Sequence, residues 1–190
     1  MRVILASGSP RRRELLEMFK IENFEIIPAK GEETLRPELS PTELVKELSR
    51  CKVAEIAPPG EEDTVTIGAD TIVVLDGKVM GKPSDEADAA RMLRSLSGRS
   101  HSVFTGVTLI RGGRVLSRAE ETKVHFRSLS EREIEAYIRT GEPMDKAGAY
   151  GAQGYASLFV DSLEGDFFNV MGLPLCTLGI MLNELGVNLI

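Results

Sequence analysis

Residues 1–19 read MRVILASGSPRRRELLEMF. Val3 to Ala6 form a short apolar run ending in small residues, which suits a buried strand that feeds a turn. From Pro10 the period changes: Leu15, Leu16, Met18 and Phe19 make the apolar stripe of a helix whose first turn holds Pro10 to Arg13. A strand, a small-residue turn and a helix start together present backbone N–H groups and the positive end of a helix dipole, a natural seat for phosphate. Arginines at a helix N-terminus are electrostatically unfavourable unless an anion compensates them, and Arg11, Arg12 and Arg13 stand there in succession. On this stretch alone, an anion site and a solvated basic turn are equally good readings.

The rest of the chain continues the alternation. Phe24 to Pro28 resembles a second strand and is followed by the polar segment KGEETLRPELS. A helix is expected from Pro41 to Ala57, with Ser40 as N-cap and Pro58-Pro59-Gly60 as its stop. VTIGADTIVVL, residues 65–75, reads as a central strand, and Asp76-Gly77 as a hairpin turn into a short strand around Val79. Ser84 with Asp85 and Glu86 opens a helix that Gly98 closes. HSVFTGVTLI and RVLSRAEETKVHF are strands joined at Gly112-Gly113, and Ser130 with Glu133 is a capping box for a helix ending at Thr140-Gly141. The glycine-rich DKAGAYGAQG then leads to a strand expected at Ser157 to Val160, and a last helix spans about Leu175 to Leu185. With no linker, repeat or low-complexity tract, this order favours one α/β domain over residues 1–190. The antiparallel pattern at 101–127 argues against a purely parallel sheet.

Composition narrows the function. A net charge of −6 argues against a surface that wraps nucleic acid polymers, yet leaves room for one local basic pocket holding a small anion. Cys51 and Cys176, both expected within apolar helical patterns, suggest neither a disulfide framework nor a zinc site. The opening apolar stretch is too short for a signal peptide and no run approaches the roughly 18 apolar residues of a membrane span, so the chain reads as soluble and cytoplasmic.

Three further places break the apolar pattern. Lys52 falls on the stripe of Leu44, Leu48 and Ile56, where an ammonium group needs a partner; a local pair with Glu55 or a snorkelling stem explains it as well as a ligand does. Asp70, within IGADTIVVL, is costly to bury charged and is expected where the strand opens into a cleft. Lys82 follows on a turn flanked by Gly81 and Pro83. In GEPMDKAGAYGAQG the glycines fall as G-x-x-G-x-x-G, after a helix rather than a strand, which does not fit a dinucleotide fingerprint. His101 and His125 lie in alternating stretches as ordinary core or surface residues. No pattern supports a metalloprotease or a serine hydrolase.

In order along the chain, ASGSPRR, GADT at 68–71, GKP at 81–83, EPMDKAGAYGAQG at 142–154 and GLPL at 172–175 resemble the Maf proteins, nucleoside triphosphate pyrophosphatases of the septum-formation-inhibitor group. The resemblance implies an α/β fold like that of the inosine-triphosphate pyrophosphatase group, in which a twisted mixed sheet flanked by helices makes two lobes around a nucleotide cleft. It also implies a divalent metal, Mg²⁺ or Mn²⁺, and a homodimer. Arg11, Thr71 and Gln153 look like the branch acting on dTTP and UTP, modified pyrimidine nucleotides included; the 7-methyl-GTP branch typically has GSDQ in place of GADT. Ala152 departs from the isoleucine common at that position.

The resemblance further implies water attack on the α-phosphorus. Ser7, Ser9, Arg11 and Arg12 would hold phosphate, Lys52 and Lys82 would neutralise it, and Asp70 would be the general base. Glu33 and Asp70 would hold the metal, and Thr71 and Gln153 would face the base and sugar. Two other readings stand beside this one. The same chemistry could act on 7-methyl-GTP or another modified purine, or the chain could be a nucleotide-binding regulator of cell division without significant turnover.

Overall fold

The computed structural model describes residues 1–19, 21, 24–31, 36 and 38–189. Its strands are β1 (Arg2–Leu5), β2 (Glu25–Ile26), β3 (Thr64–Leu75), β4 (Lys78–Met80), β5 (Ser100–Arg111), β6 (Arg114–Phe126) and β7 (Val160–Glu164). The helices are α1 (Pro10–Glu17), α2 (Pro41–Ile56), α3 (Glu86–Leu96), α4 (Glu131–Ile138), α5 (Phe167–Met171) and α6 (Leu175–Glu184). The strands are ordered β2-β1-β3-β5-β6-β7, with β4 also paired to β3. β1 runs parallel to both β2 and β3, whereas β4 is antiparallel to β3 and β7 to β6. The sheet is thus mixed, as the pattern at 101–127 required.

The described residues form two compact units, and β3, β5 and β6 contribute to both. The first comprises Met1–Asp70, Thr105–Glu120 and Gly172–Ile190. Its decisive packing is α2 against the sheet. Ser40 and Glu43 close a reciprocal capping box that fixes where α2 begins, and Leu44, Val45, Leu48, Ser49 and Val53 are its buried residues. The helix backbone comes very close to two strands because glycine stands beneath it on each. A Cβ on Gly106 of β5 would lie 2.1 Å from the Val45 carbonyl oxygen, and one on Gly68 of β3 would lie 2.3 Å from Val53 Cγ2. Ser49, at the same contact, donates to the Lys46 carbonyl and shares a 2.8 Å hydrogen bond with Thr108 of β5. This satisfies hydroxyls that could not stay buried unpaired.

The second unit comprises Thr71–Phe104 and Glu121–Met171. Its core gathers Val73, Leu93, Leu96, Val103, Val124, Phe126, Ile134 and Phe159. Edge-to-face aromatic contacts run through it, Phe126 to Tyr150 at 4.8 Å between ring centroids and Tyr137 to Phe159 at 5.1 Å. Such pairs add modestly to what their burial supplies.

Several local expectations are corrected. The strand expected at Ser157–Val160 begins only at Val160, since Tyr155–Leu158 is a 3₁₀ turn. Asp85 rather than Ser84 caps α3, its carboxylate accepting from the Asp88 amide at 2.7 Å. Met18 and Phe19 lie beyond the end of α1, and Met18 is exposed. Cys51 and Cys176 are exposed, not part of an apolar helix face. Among the described residues, no helix is long and apolar enough to cross a membrane.

Candidate functional site

The opening segment forms the strand, turn and helix expected of it. β1 pairs with β3 from Arg2↔Thr64 to Leu5↔Ile67, and the Ala6 amide extends the pairing to the Ile67 carbonyl at 2.8 Å. The chain then leaves the sheet through Ser7, Gly8 and Ser9 into α1, with Pro10 at its first position. Ser9 is the N-cap but makes no side-chain cap, and the first turn of α1 carries no acidic residue. The dipole end is met by protein cations instead.

Their placement is specific. Buried Ser7 accepts from the Ser9 amide at 3.3 Å and from Arg12 Nη1 at 3.2 Å, while Arg12 Nε donates to the Gly172 carbonyl at 2.8 Å. Arg12 is therefore fixed across the turn by the backbone of the GLPL segment. Two accepted bonds fill the acceptor capacity of the Ser7 hydroxyl and leave its hydrogen as the remaining bonding function. Arg11 is half-buried beside it, whereas Arg13 points away, donating to Glu17 at 2.8 Å one turn along the helix.

Asp70 sits in the interior of β3, only 5% exposed, three residues beyond the last pair with β1. It keeps the interior strand position expected from the sequence. It lies beyond the carboxyl end of the parallel pair, on the side to which β1 delivers the Ser7–Ser9 turn. Carboxyl ends of parallel strands are where α/β proteins receive ligands. Lys52 of α2 donates to Asp70 Oδ1, a partner that lies across the helix–strand contact. Glu55 accepts the Lys30 and Gly31 amides at 2.8 and 3.0 Å, bonds that hold its carboxyl below the usual range. Burying an aspartate and a lysine costs far less when each neutralises the other.

In the second unit, Thr71 is half-buried on β3, Lys82 is exposed on the turn after β4, and Gln153 is exposed on the glycine-rich loop. The Gly148 amide donates to the Gly81 carbonyl at 3.0 Å, tying that loop to the turn that carries Lys82. Gly148 has φ +69° and lies against Val73, so this crossing requires glycine. Buried Tyr150 of the same loop shares a 2.7 Å hydrogen bond with His101 Nε2; burial lowers the His101 pKa to about 4 and raises that of the Tyr150 phenol. Glu33 lies outside the described residues. Sequence reasoning missed Gly172 as the anchor of Arg12, and missed Tyr137 and Glu142 beneath the Gln153 turn. For Glu142 the only signal was its place within the EPMDKAGAYGAQG motif.

The fold is thus that of a mixed α/β protein that sets arginines, a serine and a Lys–Asp pair beyond the carboxyl end of its parallel strands, the end at which such folds receive ligands. Residues 2–185 match the family described as Maf-like protein, and the chain belongs to that family. It is 50% identical over 173 residues to a dTTP/UTP pyrophosphatase of Thermococcus gammatolerans, covering 91% of each chain. It is 47% identical over 190 residues to one of Dictyoglomus thermophilum, covering 99% of this chain and 98% of that one. A third, from Bacillus mycoides, is 46% identical over 177 residues, with 93% and 92% covered. Among solved structures, a HAM1 protein from Coxiella burnetii aligns with TM-score 0.53 and 16% identity over 97% of this chain and 99% of that chain, a likeness of fold.

Proposed function

We propose that this chain is a nucleoside triphosphate pyrophosphatase that hydrolyses dTTP and UTP, water attacking the α-phosphorus to release pyrophosphate and leave the monophosphate. The observation that carries the reading is the pairing of half-buried Lys52 with buried Asp70, set beyond the parallel strands that deliver the Arg12-locked turn. Phosphoryl transfer needs cations placed over the phosphates and a carboxylate near the attacking water, and little else from the protein. The similarity to three dTTP/UTP pyrophosphatases over most of the chain supports the reaction and the pyrimidine preference.

Ser7 donates its hydroxyl hydrogen to a phosphate oxygen. Arg11 and Arg12 supply planar charge, and the fixed Nε of Arg12 orients its guanidinium. Lys52 exchanges its contact with Asp70 for a phosphate oxygen as the triphosphate enters, which releases the Asp70 carboxylate to take the proton of the attacking water. Lys82 neutralises further phosphate charge. Thr71 and Gln153 contact base and sugar, the Gln153 amide pairing with the O4/N3 edge of uracil or thymine.

The donor chemistry also suits a hard divalent cation, Mg²⁺ or Mn²⁺, which takes one or two carboxylates and completes its shell with phosphate oxygens and water. Asp70 is such a donor, and Glu33 is proposed as the second. Among the described residues no group of three or more His, Cys, Asp or Glu is placed to hold an ion, so the site is read as one completed by the nucleotide. When bound, the metal supplies charge neutralisation on the phosphates. A cytoplasmic homodimer completes the reading, the dimer being checked by light scattering in solution.

The test is a panel of dTTP, UTP, CTP, 7-methyl-GTP and ITP with Mg²⁺ or Mn²⁺, quantifying monophosphate and pyrophosphate, with chelator controls. Release of pyrophosphate from dTTP and UTP, abolished by chelator, is the expected result. Turnover of 7-methyl-GTP alone would overturn the roles of Thr71 and Gln153. Nucleotide binding with no turnover would replace the enzyme with a regulator.

A further inference from the structure

The turn that carries Gln153 is stapled from below. Gly151 and Gly154 bracket it, with the Gly154 amide donating to the Gly151 carbonyl at 3.0 Å. The Gly151 amide donates to the Tyr137 hydroxyl at 3.2 Å, and that hydroxyl donates to Glu142 Oε1 at 2.9 Å. The other carboxylate oxygen, Glu142 Oε2, accepts the Tyr155 amide at 3.0 Å. Both flanks of Gln153 thus end on one phenol–carboxylate pair.

The glycines are what let the pair reach so close. A Cβ on Gly154 would sit 2.3 Å from the Glu142 carboxylate oxygens, and one on Gly151 would sit 2.6 Å from Lys146 Cε. Lys146 in turn donates to the Glu142 carbonyl at 2.6 Å and to Asp145 at 2.7 Å, closing the base of the segment. Tyr137 is buried on α4, whose start is fixed by the Ser130–Glu133 capping box and by the 2.6 Å Arg127–Glu133 ion pair. The staple therefore stands on a rigid element, while Gln153 itself remains exposed.

We infer that Tyr137 and Glu142 are positioning residues for base selection: they hold the Gly151–Gly154 turn so that the Gln153 amide meets the pyrimidine edge. The inference rests on the dTTP/UTP reading proposed above. An exposed glutamine on a three-glycine loop would otherwise pay the entropy of ordering each time a base arrives. Held in place beforehand, the turn limits the amide to one approach, and in a single amide orientation it discriminates a carbonyl from an amino group at position 4 of the ring, because the wrong partner leaves a polar atom unmatched.

The experiment compares kcat and KM for dTTP, UTP and CTP in wild type, Tyr137→Phe, Glu142→Gln, Gly154→Ala and Gln153→Ala. Amide hydrogen exchange over 151–155 is followed in parallel. Tyr137→Phe removes one oxygen and keeps the ring in the core, so folding is retained. The expected result is a rise of about tenfold in KM for dTTP and UTP with kcat held within about threefold, a loss of discrimination against CTP, and faster exchange at Gly151 and Tyr155. Combining Tyr137→Phe with Gln153→Ala adds nothing to the KM of Gln153→Ala alone, because both act through one contact. Additive effects would overturn the inference, as would equal losses on all three nucleotides, the signature of a structural role. Unchanged discrimination in active variants sinks the staple and leaves the pyrophosphatase standing. A wild type that turns over neither dTTP nor UTP removes both.

Discussion

Gly106→Ala is the sharpest test of how α2 is seated. The added Cβ would lie 2.1 Å from the Val45 carbonyl oxygen, 2.3 Å from its carbon and 2.8 Å from the Lys46 nitrogen, all backbone atoms with no rotamer to escape into. To reach even 3.0 Å, below which real Cβ contacts essentially do not fall, α2 must retreat by about 0.9 Å. Overpacking of this kind costs about 1–3 kcal/mol. The retreat also breaks the buried Ser49–Thr108 bond at 2.8 Å, worth about 1 kcal/mol. Reduced freedom of the unfolded chain returns about 0.5–1 kcal/mol. The net expectation is a loss of about 2 kcal/mol, or roughly 4–8 °C in Tm for a chain of this size. Urea unfolding should show a lower midpoint at unchanged slope. Gly179→Ala is the control. It lies inside α6 with nothing within 4 Å of its added Cβ, and should stabilise by about 0.5–1 kcal/mol through helix propensity alone. Gly106→Ala within about 1 kcal/mol of wild type would refute the close approach.

The site yields further expectations. Asp70→Asn should lower kcat by about 10²–10⁴-fold while nucleotide affinity by calorimetry stays within about threefold; near-normal kcat would exclude Asp70 as the base. Lys52→Met removes the lysine partner of the buried Asp70 carboxylate and should destabilise by about 1–3 kcal/mol, whereas adding Asp70→Leu, which removes that carboxylate as well, should recover most of the loss; equal midpoints for the two would contradict burial of the Asp70 charge. Arg12→Lys keeps the charge but cannot fork between Ser7 and the Gly172 carbonyl, so KM should rise and kcat fall, about tenfold each, and wild-type kinetics would dismiss the clamp. His101, lowered to about 4 by burial, titrates in the unfolded chain near 6.5. The unfolded state thus binds the extra proton between those values, and stability present above pH 6.5 is lost as pH falls toward 4. Between pH 7.5 and 5.0 the loss is about 2 kcal/mol, and His101→Gln, which cannot titrate there, should lack that component.

What the sequence made legible was what is decided locally. The N-cap at Ser40 and the capping box at Ser130 need only residues within one turn, and both helices start where those signals placed them. The failures are of the opposite kind. β7 begins at Val160 because its partner on β6 sets where pairing starts, with Phe126 facing Val160 across a register shift, and no pattern within Ser157–Val160 carries that information. α5 has five residues, too few for a period, and rests on non-local bonds: the buried Asn169 amide donates to the Val103 carbonyl and to Thr122. Cys51 stands within an apolar helical pattern in sequence, yet the buried face of α2 runs through Leu44, Val45, Leu48, Ser49 and Val53 and leaves it exposed.

The Lys52–Asp70 pair shows where the boundary between local and non-local falls within a functional site. Each residue was conspicuous alone, a charge where apolar residues belong, but the sequence offered Lys52 a nearer partner in Glu55. The fold decides otherwise through Gly68. Residues two apart on a strand share a face, so Gly68 and Asp70 both lie under α2. The glycine admits Val53 into contact, and Lys52, the preceding residue of the helix, reaches the carboxylate two positions along. Glu55, one turn on, is meanwhile occupied by the Lys30 and Gly31 amides. A missing side chain on β3 thus selects which carboxylate the lysine finds. The close packing of α2 and the charge pair proposed for catalysis are one arrangement, so a substitution that lifts the helix at Gly106 should also lower turnover by drawing Lys52 back from the phosphate it is proposed to meet.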